Sequence, residues 1–382
     1  METQSGQSIA VDREVRFGAV RYPFHIRAGQ ESWVDLRRAL TRLDADRFVV
    51  VADSGLPATT VAEAEAQLSR VAPTIVLSAD ATEKTKTLET VNTLAEQTIR
   101  VGATRQSIVV GLGGGLVGNV AGLLAGLVFR GIRLVHLPTT LLAMSDSTLS
   151  LKQGVNSRQG KNHIGVFHPP VLVWNHLDFL RTLAPEEVRS ALCETVKNVL
   201  AITPERYDEL ARLLRTDARY ADVDLAAFID LCIDAKTAVM AEDHREKQSA
   251  LVLEYGHTVG HAIELLSDGT VHHGFAIGLG MLAAARMSRE LGGLDGADEA
   301  AHHELLDRNG ALTSLGGFDT DDVLRLIRLD NKRGYVRPRT GACDFVLLDG
   351  LGRPRITNGS MITQVDEDTV RVGIASIQSE QH

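Results

Sequence analysis

The chain has 382 residues, enough for two ordinary domains, with 44% hydrophobic and 23% charged residues, the balance of a globular protein in water. Its formal net charge of −9 excludes a general attraction to nucleic acid or to an anionic membrane surface, so an anionic ligand must be held by a local basic cluster. Three widely spaced cysteines, Cys193, Cys232 and Cys343, make no disulfide framework and point to a reducing, cytoplasmic setting.

The N-terminal stretch METQSGQSIAVDREV has no apolar run after a basic start, so no signal peptide is expected. Strand-like and helix-like segments then alternate. DRFVVVADSG ends an apolar run in turn residues, and VAEAEAQLSRV follows with helical periodicity; TIVLSA precedes the helical KTLETVNTLAEQTIR. SIVVGLGGG, VGNVAGLLAGLVF and IRLVHLPTT repeat the alternation. Residues 107–129 carry no charge and are long enough to span a bilayer, but their glycine density reads as strand, turn and packed helix. The order βαβα predicts a mainly parallel, Rossmann-like sheet with helices on both faces.

The glycine run Gly113–Gly118 matches G-x-G-x-x-G, a turn where backbone approaches a pyrophosphate and a helix N-terminus faces it. The acid expected about 20 residues further on is missing from GIRLVHLP, and Asp53 could serve a ribose instead. A tight turn without a nucleotide explains the run equally well. SDSTLSLKQGVNSRQGKNHIG reads as a long polar loop rich in cations and amides, with Asp146, Lys152, Asn156, Arg158, Lys161 and Asn162. Long loops without structure of their own are uncommon unless functional, which favours a phosphate site over a merely solvated loop.

After HPPVLVWNHLDFLRTLAPEE the texture changes, and from Glu186 to Ala301 most segments have a 3.6-residue period. The expected boundary separates an α/β domain, residues 1–185, from a mainly helical domain, residues 186–382, with a hairpin near CDFVLLDGLGRPRI. Glu194 and Lys197 share a helical face in LCETVKNVL, and taken alone they read as a surface ion pair. His257 and His261 stand one turn apart, the spacing of two imidazoles on a shared metal, and His272 and His273 follow in VHHGFA. Four histidines in so short a stretch favour a metal site over structural histidines, but spacing does not say which of them bind. His302 and His303 lie in the polar helix DEAAHHELLDR and are expected to face solvent.

GGGLVGNVAG, RGIRLVHLPTTLLA, DSTLSLKQGVN, GKNHIG, LCETVKN, EYGHTVGHAIE, HHGFAIGLGM and DNKRGY together resemble the sugar phosphate cyclases, the superfamily of dehydroquinate synthase, in order from Asp53 to Tyr335. The resemblance is strongest to the inosose-forming branch, which starts the 2-deoxystreptamine ring of aminoglycoside antibiotics. It implies an NAD-binding first domain, a second domain binding a divalent Zn or Co ion, an active site in the cleft between them, and a homodimer. It implies metal ligands at Glu194, His257 and His273, and leaves His261 to phosphate or proton transfer. Positions matching NAD contacts are Asp53, Glu83, Lys86, Gly114, Gly115, Asn119, Thr139, Thr140, Asp146, Lys161 and Thr182. Substrate-side positions are Lys152, Asn162, Lys197, Lys236, His261 and Lys332, with Arg130 reaching the phosphate from a neighbouring subunit.

Three departures from dehydroquinate synthase bear on the substrate. Its carboxylate-binding arginine is Ala250 here, its asparagine before the GH pair is Glu254, and its aspartate after the glycine run is Asn119. Losing a bidentate carboxylate partner and adding a negative charge both disfavour a keto acid. Glucose 6-phosphate, a neutral sugar chain with only a phosphate, fits better, and Glu254 joins the catalytic candidates. The implied reaction is transient NAD-dependent oxidation at C4, phosphate elimination, re-reduction, ring opening and intramolecular aldol closure. The rival readings are dehydroquinate synthase or another sugar phosphate cyclase, a metal-dependent polyol dehydrogenase, and a degenerate cyclase acting as a regulator.

Overall fold

The apolar runs that end in turn residues become strands, and the periodic segments between them become helices. In the computed structural model of the chain, which describes residues 9–158, 160–311, 318–330, 332 and 334–379, two units divide the sequence. Met1–Leu183 with Ala221–Ile229 form one, and Ala184–Tyr220 with Asp230–His382 form the other.

The first unit opens with a pair of strands that the sequence reading did not assign, β1 (Ala10–Phe17) and β2 (Val20–Arg27), followed by helix α1 (Glu31–Thr41). Then come β3 (Phe48–Asp53), α2 (Ala58–Ser69), β4 (Thr74–Ala79), α3 (Leu88–Arg100), β5 (Ile108–Gly113), α4 (Gly115–Leu127) and β6 (Arg133–Pro138). β7 (Lys152–Ser157), β8 (Gly160–Phe167) and β9 (Leu172–His176) complete the unit's strands. The main sheet has the order β1-β2-β9-β6-β5-β3-β4, antiparallel only between β1 and β2.

Side chains on the central strands alternate between two apolar faces. Val50, Ala52, Val110 and Leu112 pack with Trp33, Leu36 and Leu68, whereas Val51 and Val109 pack with Val91, Leu94, Val117 and Leu124. Both faces being covered explains why these strands read as continuous apolar runs. The uncharged residues 107–129 are β5, a glycine turn and α4, and among the described residues no helix is long and apolar enough to cross a membrane. The stretch read as a loop over residues 145–165 is instead a π-turn, Ala143–Ser147, and the antiparallel β7–β8 pair. Its polarity arises because most of β8 faces solvent.

The second unit is helical: α5 (Pro185–Ala201), α6 (Tyr207–Leu213), α7 (Asp222–Met240, whose first turns belong to the other unit), α8 (His257–Leu266), α9 (His273–Glu290), α10 (Gly296–Arg308) and α11 (Thr320–Ile327). Small strands follow, β10 (Ala342–Val346), β11 (Leu348–Gly350), β12 (Arg353–Pro354) and β13 (Ile362–Asp366), and α12 (Glu367–Ser379) ends the described chain. β11 and β12 form the expected hairpin, and β10 pairs with β13. Helix starts follow their local chemistry. Pro185 opens α5 and the Glu187 carboxylate accepts the Ala184 N–H. Asp295 and Asp319 accept backbone N–H groups at the starts of α10 and α11.

Two glycines set the spacing of α5, α8 and α9. Gly256 caps α8 with φ +77°, and a Cβ there would lie 2.7 Å from Met281 Cγ. At Gly274, in the first turn of α9, a Cβ would lie 1.7 Å from the Ser190 carbonyl oxygen of α5. The Gly274 N–H donates to Ser190 Oγ at 3.0 Å. Backbones this close bring one residue from each helix to a common point.

Candidate metal centre and surrounding residues

That point is occupied by Glu194 of α5, His257 at the start of α8 and His273 at the start of α9, whose candidate ligand atoms lie within 4.8 Å of one another. Glu194 Oε1 is 3.5 Å from His257 Nε2 and 3.3 Å from His273 Nε2. Each ring spends its other nitrogen elsewhere. His257 Nδ1–H donates to the Tyr255 carbonyl at 3.1 Å, and His273 Nδ1–H donates to Glu264 Oε2 at 3.2 Å. Both Nε2 atoms therefore face Glu194, and each can ligate a metal once it carries no proton. Of the other two histidines in the stretch, His272 is exposed and outside this group, while the His261 ring stands 5.2 Å from that of His257.

The fit to a divalent cation shows in the carboxylate. Glu194 is 1% exposed, and among the described residues neither of its oxygens accepts a hydrogen bond of normal geometry. Oε2 meets the Lys197 ammonium, while Oε1, facing both imidazole Nε2 atoms, is the oxygen left for a metal cation. Burial alone would raise its pKa, but the Lys197 ammonium and the His257 and His273 imidazoles hold it well below the usual carboxylate range. Burial and Lys197 push His257 down to about 3. For His273, burial is outweighed by Glu194 and Glu264, which lift it to about 10. One carboxylate oxygen and two imidazoles make a three-ligand set of the kind that leaves positions open for substrate.

Glu194 and Lys197 are no surface pair, as their spacing alone suggested. Both are buried, with Lys197 Nζ 2.5 Å from Glu194 Oε2 and donating to the Leu253 carbonyl at 2.7 Å. Lys332 is 1% exposed, with its ammonium 3.2 Å from Glu254 and 3.1 Å from Asp330. Burial disfavours its charge, but the two carboxylates prevail and its pKa is raised. Asp330 Oδ2 also faces His261 Nδ1 at 3.7 Å. Burial would raise the Asp330 carboxyl, and His261 with Lys332 brings it below its ordinary value. Lys236, on α7, is buried. Ala250 is fully buried, and its N–H donates to Asp243 Oδ2.

The remaining candidates belong to the first unit. Asp53 ends β3 and accepts the Gly55 N–H at 2.8 Å. Gly114 and Gly115 make the turn into α4, where Asn119 Nδ2 donates to the Gly115 carbonyl and Oδ1 accepts the Gly154 N–H. The Thr139 N–H donates to the Gly113 carbonyl, and Thr140 Oγ1 accepts the Ala143 N–H. A recess lined by Gly113, Gly114, Asn119, His136 and Ser147 opens at this turn. Asp146 lies in the π-turn, and Thr182 in a 3₁₀ turn after β9. Glu83 and Lys86 come from the β4–α3 connection, Lys152 from β7, and Lys161 and Asn162 from β8. Lys161 lies 3.7 Å from Glu83, and the Lys86 ammonium donates to Asn162 Oδ1 at 2.5 Å. Burial lowers the Lys86 pKa. Arg130 stands apart from the glycine turn, past the other end of α4, a helix roughly 20 Å long. Its φ is +66° and that of Phe129 is +51°.

Sequence reasoning missed Glu264 and Asp330, which orient His273 and His261, and Asn156 as a structural partner. Glu264 lies two turns beyond His257 on the same helix, a signal that was readable; Asp330 heads the DNKRGY stretch, in which only Lys332 was given a role. His302 corrects an expectation. It is fully buried, accepting from the Tyr255 hydroxyl at 2.9 Å and donating to the Asp298 carbonyl, while His303 is half-buried. A buried tyrosine hydroxyl needs a partner, and the helix turns His302 inward to supply it. Asn331 and Arg333 of the DNKRGY stretch lie outside the described residues.

Residues 76–190 match the family model for the 3-dehydroquinate synthase N-terminal domain, and residues 191–333 match that for its C-terminal domain. A 2-deoxy-scyllo-inosose synthase of Micromonospora echinospora is 46% identical over 92% of this chain and 88% of its own length. One from Streptoalloteichus tenebrarius is 44% identical over 91% of this chain and 90% of its own. A crystal structure of a 2-deoxy-scyllo-inosose synthase complexed with carbaglucose-6-phosphate, NAD+ and Co2+ superposes with a TM-score of 0.91 at 36% identity, covering 96% of this chain and all of that one. With its parallel sheet, its helical second unit and the cluster of Glu194, His257 and His273, the chain belongs to the 2-deoxy-scyllo-inosose synthases, within the dehydroquinate synthase-like sugar phosphate cyclases.

Proposed function

We infer that the chain is a phosphate-eliminating carbon–oxygen lyase that converts glucose 6-phosphate into 2-deoxy-scyllo-inosose and phosphate, in the biosynthesis of 2-deoxystreptamine aminoglycosides. The observation that carries this is the Glu194–His257–His273 cluster beside Lys197, in a chain similar over nine-tenths of its length to synthases of that product. Glu254 and the buried Ala250 add local support, since neither offers a partner to a substrate carboxylate.

When bound, NAD supplies the transient hydride acceptor for C4, and a divalent Zn or Co ion supplies the positive charge that acidifies the C4 hydroxyl. The chain's own residues do the rest. Asp53, Glu83, Lys86, Gly114, Gly115, Asn119, Thr139, Thr140, Asp146, Lys161 and Thr182 are assigned to the dinucleotide, and Glu194, His257 and His273 to the metal. Lys152, Lys197, Lys236, Lys332 and Asn162 are assigned to the sugar phosphate. Ammonium groups neutralise the charge that grows as the C6–O bond breaks and phosphate departs. Lys332, kept cationic between two carboxylates, suits that role. His261, whose Nδ1 lies 3.7 Å from Asp330, is assigned to the phosphate or to proton transfer. Glu254, against the Lys332 ammonium, is placed to take and return a hydroxyl proton.

Arg130 is assigned to the phosphate of a second copy, making the enzyme a homodimer. Support comes from its distance from the glycine turn and from exposed apolar residues on the same unit, Leu127, Ile164 and Phe167. The three cysteines are buried and none is in a disulfide, which fits a cytoplasmic location.

The test is to incubate the enzyme with glucose 6-phosphate, NAD+ and Co2+ or Zn2+ while following free phosphate and absorbance at the NADH band. Phosphate release without net NADH, with a carbocyclic ketone of the product's mass, is the expected outcome. NADH accumulation without phosphate would instead identify a polyol dehydrogenase and sink the reading.

A further inference from the structure

Cofactor-side and substrate-side residues of the first unit come from two separate segments: Glu83 and Lys86 precede α3, whereas Lys161 and Asn162 lie on β8. One side chain ties these segments together. The Asn156 Nδ2 amide donates to Glu83 Oε2 at 2.7 Å and to the Glu83 carbonyl at 3.1 Å. Its Oδ1 accepts the Asn162 backbone N–H at 2.9 Å. Its own backbone N–H donates to the Lys86 carbonyl at 2.8 Å, so every polar group of Asn156 that faces these segments is used on one or the other. Lys86 Nζ closes the ring on Asn162 Oδ1. Asn162 sits at φ +55°, a left-handed conformation that needs support from its surroundings in any residue but glycine. A carboxamide offers a donor and an acceptor on two separate atoms at this point; aspartate has acceptors alone, and an apolar residue has neither.

We propose that Asn156 is a positioning residue that locks the cofactor-side segment Glu83–Lys86 to the substrate-side Asn162, so that dinucleotide and sugar phosphate are held in one register. The proposal rests on the assignment of Glu83 and Lys86 to NAD and of Asn162 to the substrate. It predicts a separation that general loss of structure would not produce. Asn156→Asp keeps the acceptor for the Asn162 N–H but sets a carboxylate against Glu83. It weakens NAD binding by about tenfold and leaves KM for glucose 6-phosphate within about twofold. Asn156→Ala removes both links and raises both constants.

The decisive variant exchanges donor and acceptor. In Asn156→Asp with Glu83→Gln, the glutamine amide donates to the new carboxylate, and the double variant loses less NAD affinity than the two single variants together. NAD Kd is read by fluorescence titration, KM for the sugar phosphate by phosphate release, and the melting temperature alongside. Equal changes in both constants for Asn156→Asp, or strict additivity in the double variant, overturn the proposal. Failure of the underlying assignment appears separately, as unchanged NAD affinity in Lys86→Ala.

Discussion

Glu264 carries no reaction chemistry of its own, yet its carboxylate decides which nitrogen of His273 is available. By accepting Nδ1–H at 3.2 Å it turns Nε2 towards Glu194. Partners of this kind are worth roughly 10–100-fold in metal affinity. Glu264→Ala is therefore expected to weaken Co2+ binding by that factor, measured by competition with a chelator, while Glu264→Gln, which keeps an acceptor oxygen, loses less. Equal Co2+ affinity in all three proteins would deny Glu264 this role. Lys332 presents a different case, a buried cation that two carboxylates keep charged. Its pKa is raised from 10.5, so its contribution to stability is complete below that value and disappears as pH climbs through the folded-state pKa. Asp330, lowered from 3.8, contributes above that value and loses its contribution as pH falls through its own folded-state pKa. Lys332→Met strands two carboxylates near neutral pH, at a cost of about 3–5 kcal/mol. Chemical denaturation across pH should show the deficit largest between those limits and smaller below pH 3.8, where Asp330 can protonate. A deficit independent of pH would mean that packing, not charge, is what Lys332 supplies.

Helices and strands were legible in the sequence wherever burial imposed a simple pattern. β3 and β5 are buried on both faces and read as apolar runs, and the glycine turn is where it was expected. β2 alternates Val20, Tyr22, Phe24 and Ile26 with other residues, a period-2 strand signal that was missed; Arg13 breaks the alternation in β1, and Pro23 interrupts β2 without ending it. The β7–β8 pair was hidden for the opposite reason: an exposed strand needs no apolar face, so its sequence looks like a loop. For the candidate site, residue types and spacing pointed to the histidines, whereas Glu194 was singled out only by the family resemblance, because burial of the Glu194–Lys197 pair depends on what lies across from α5. That packing rests on Gly274, where any Cβ would fall 1.7 Å from the Ser190 carbonyl. Gly274→Ala should push α9 from α5 and cost about 1–3 kcal/mol in stability. Because Glu194 and His273 sit on those two helices, Co2+ affinity should fall with it, whereas NAD affinity, assigned to the other unit, should hold. Loss of NAD and Co2+ binding in equal measure would show that the substitution acts on the whole fold instead.

At the scale of the whole molecule, the residues assigned to NAD and those assigned to the metal fall in different units, and a single turnover needs both. Arg130 is assigned to neither group, and it follows the far end of α4 from the glycine turn. Two consecutive non-glycine residues with positive φ, Phe129 and Arg130, hold it there. The Arg105 guanidinium donates to the Phe129 carbonyl at 2.7 Å and lies over its ring. Backbone in that region costs of order 1–3 kcal/mol per residue and persists only when the surroundings fix it, and the residue held there is exposed. If Arg130 serves a second copy, defects in two different sites become complementary. Arg130→Ala has an intact Glu194–His257–His273 cluster but supplies no arginine, whereas His273→Ala has a damaged cluster but supplies one. Each homodimer should be nearly inactive in phosphate release. Unfolding and refolding the two together in equal amounts gives half heterodimers by random pairing, each with one complete site, and so about a quarter of wild-type activity. Activity no greater than the sum of the two separate variants would place Arg130 in its own subunit's reaction, or in none.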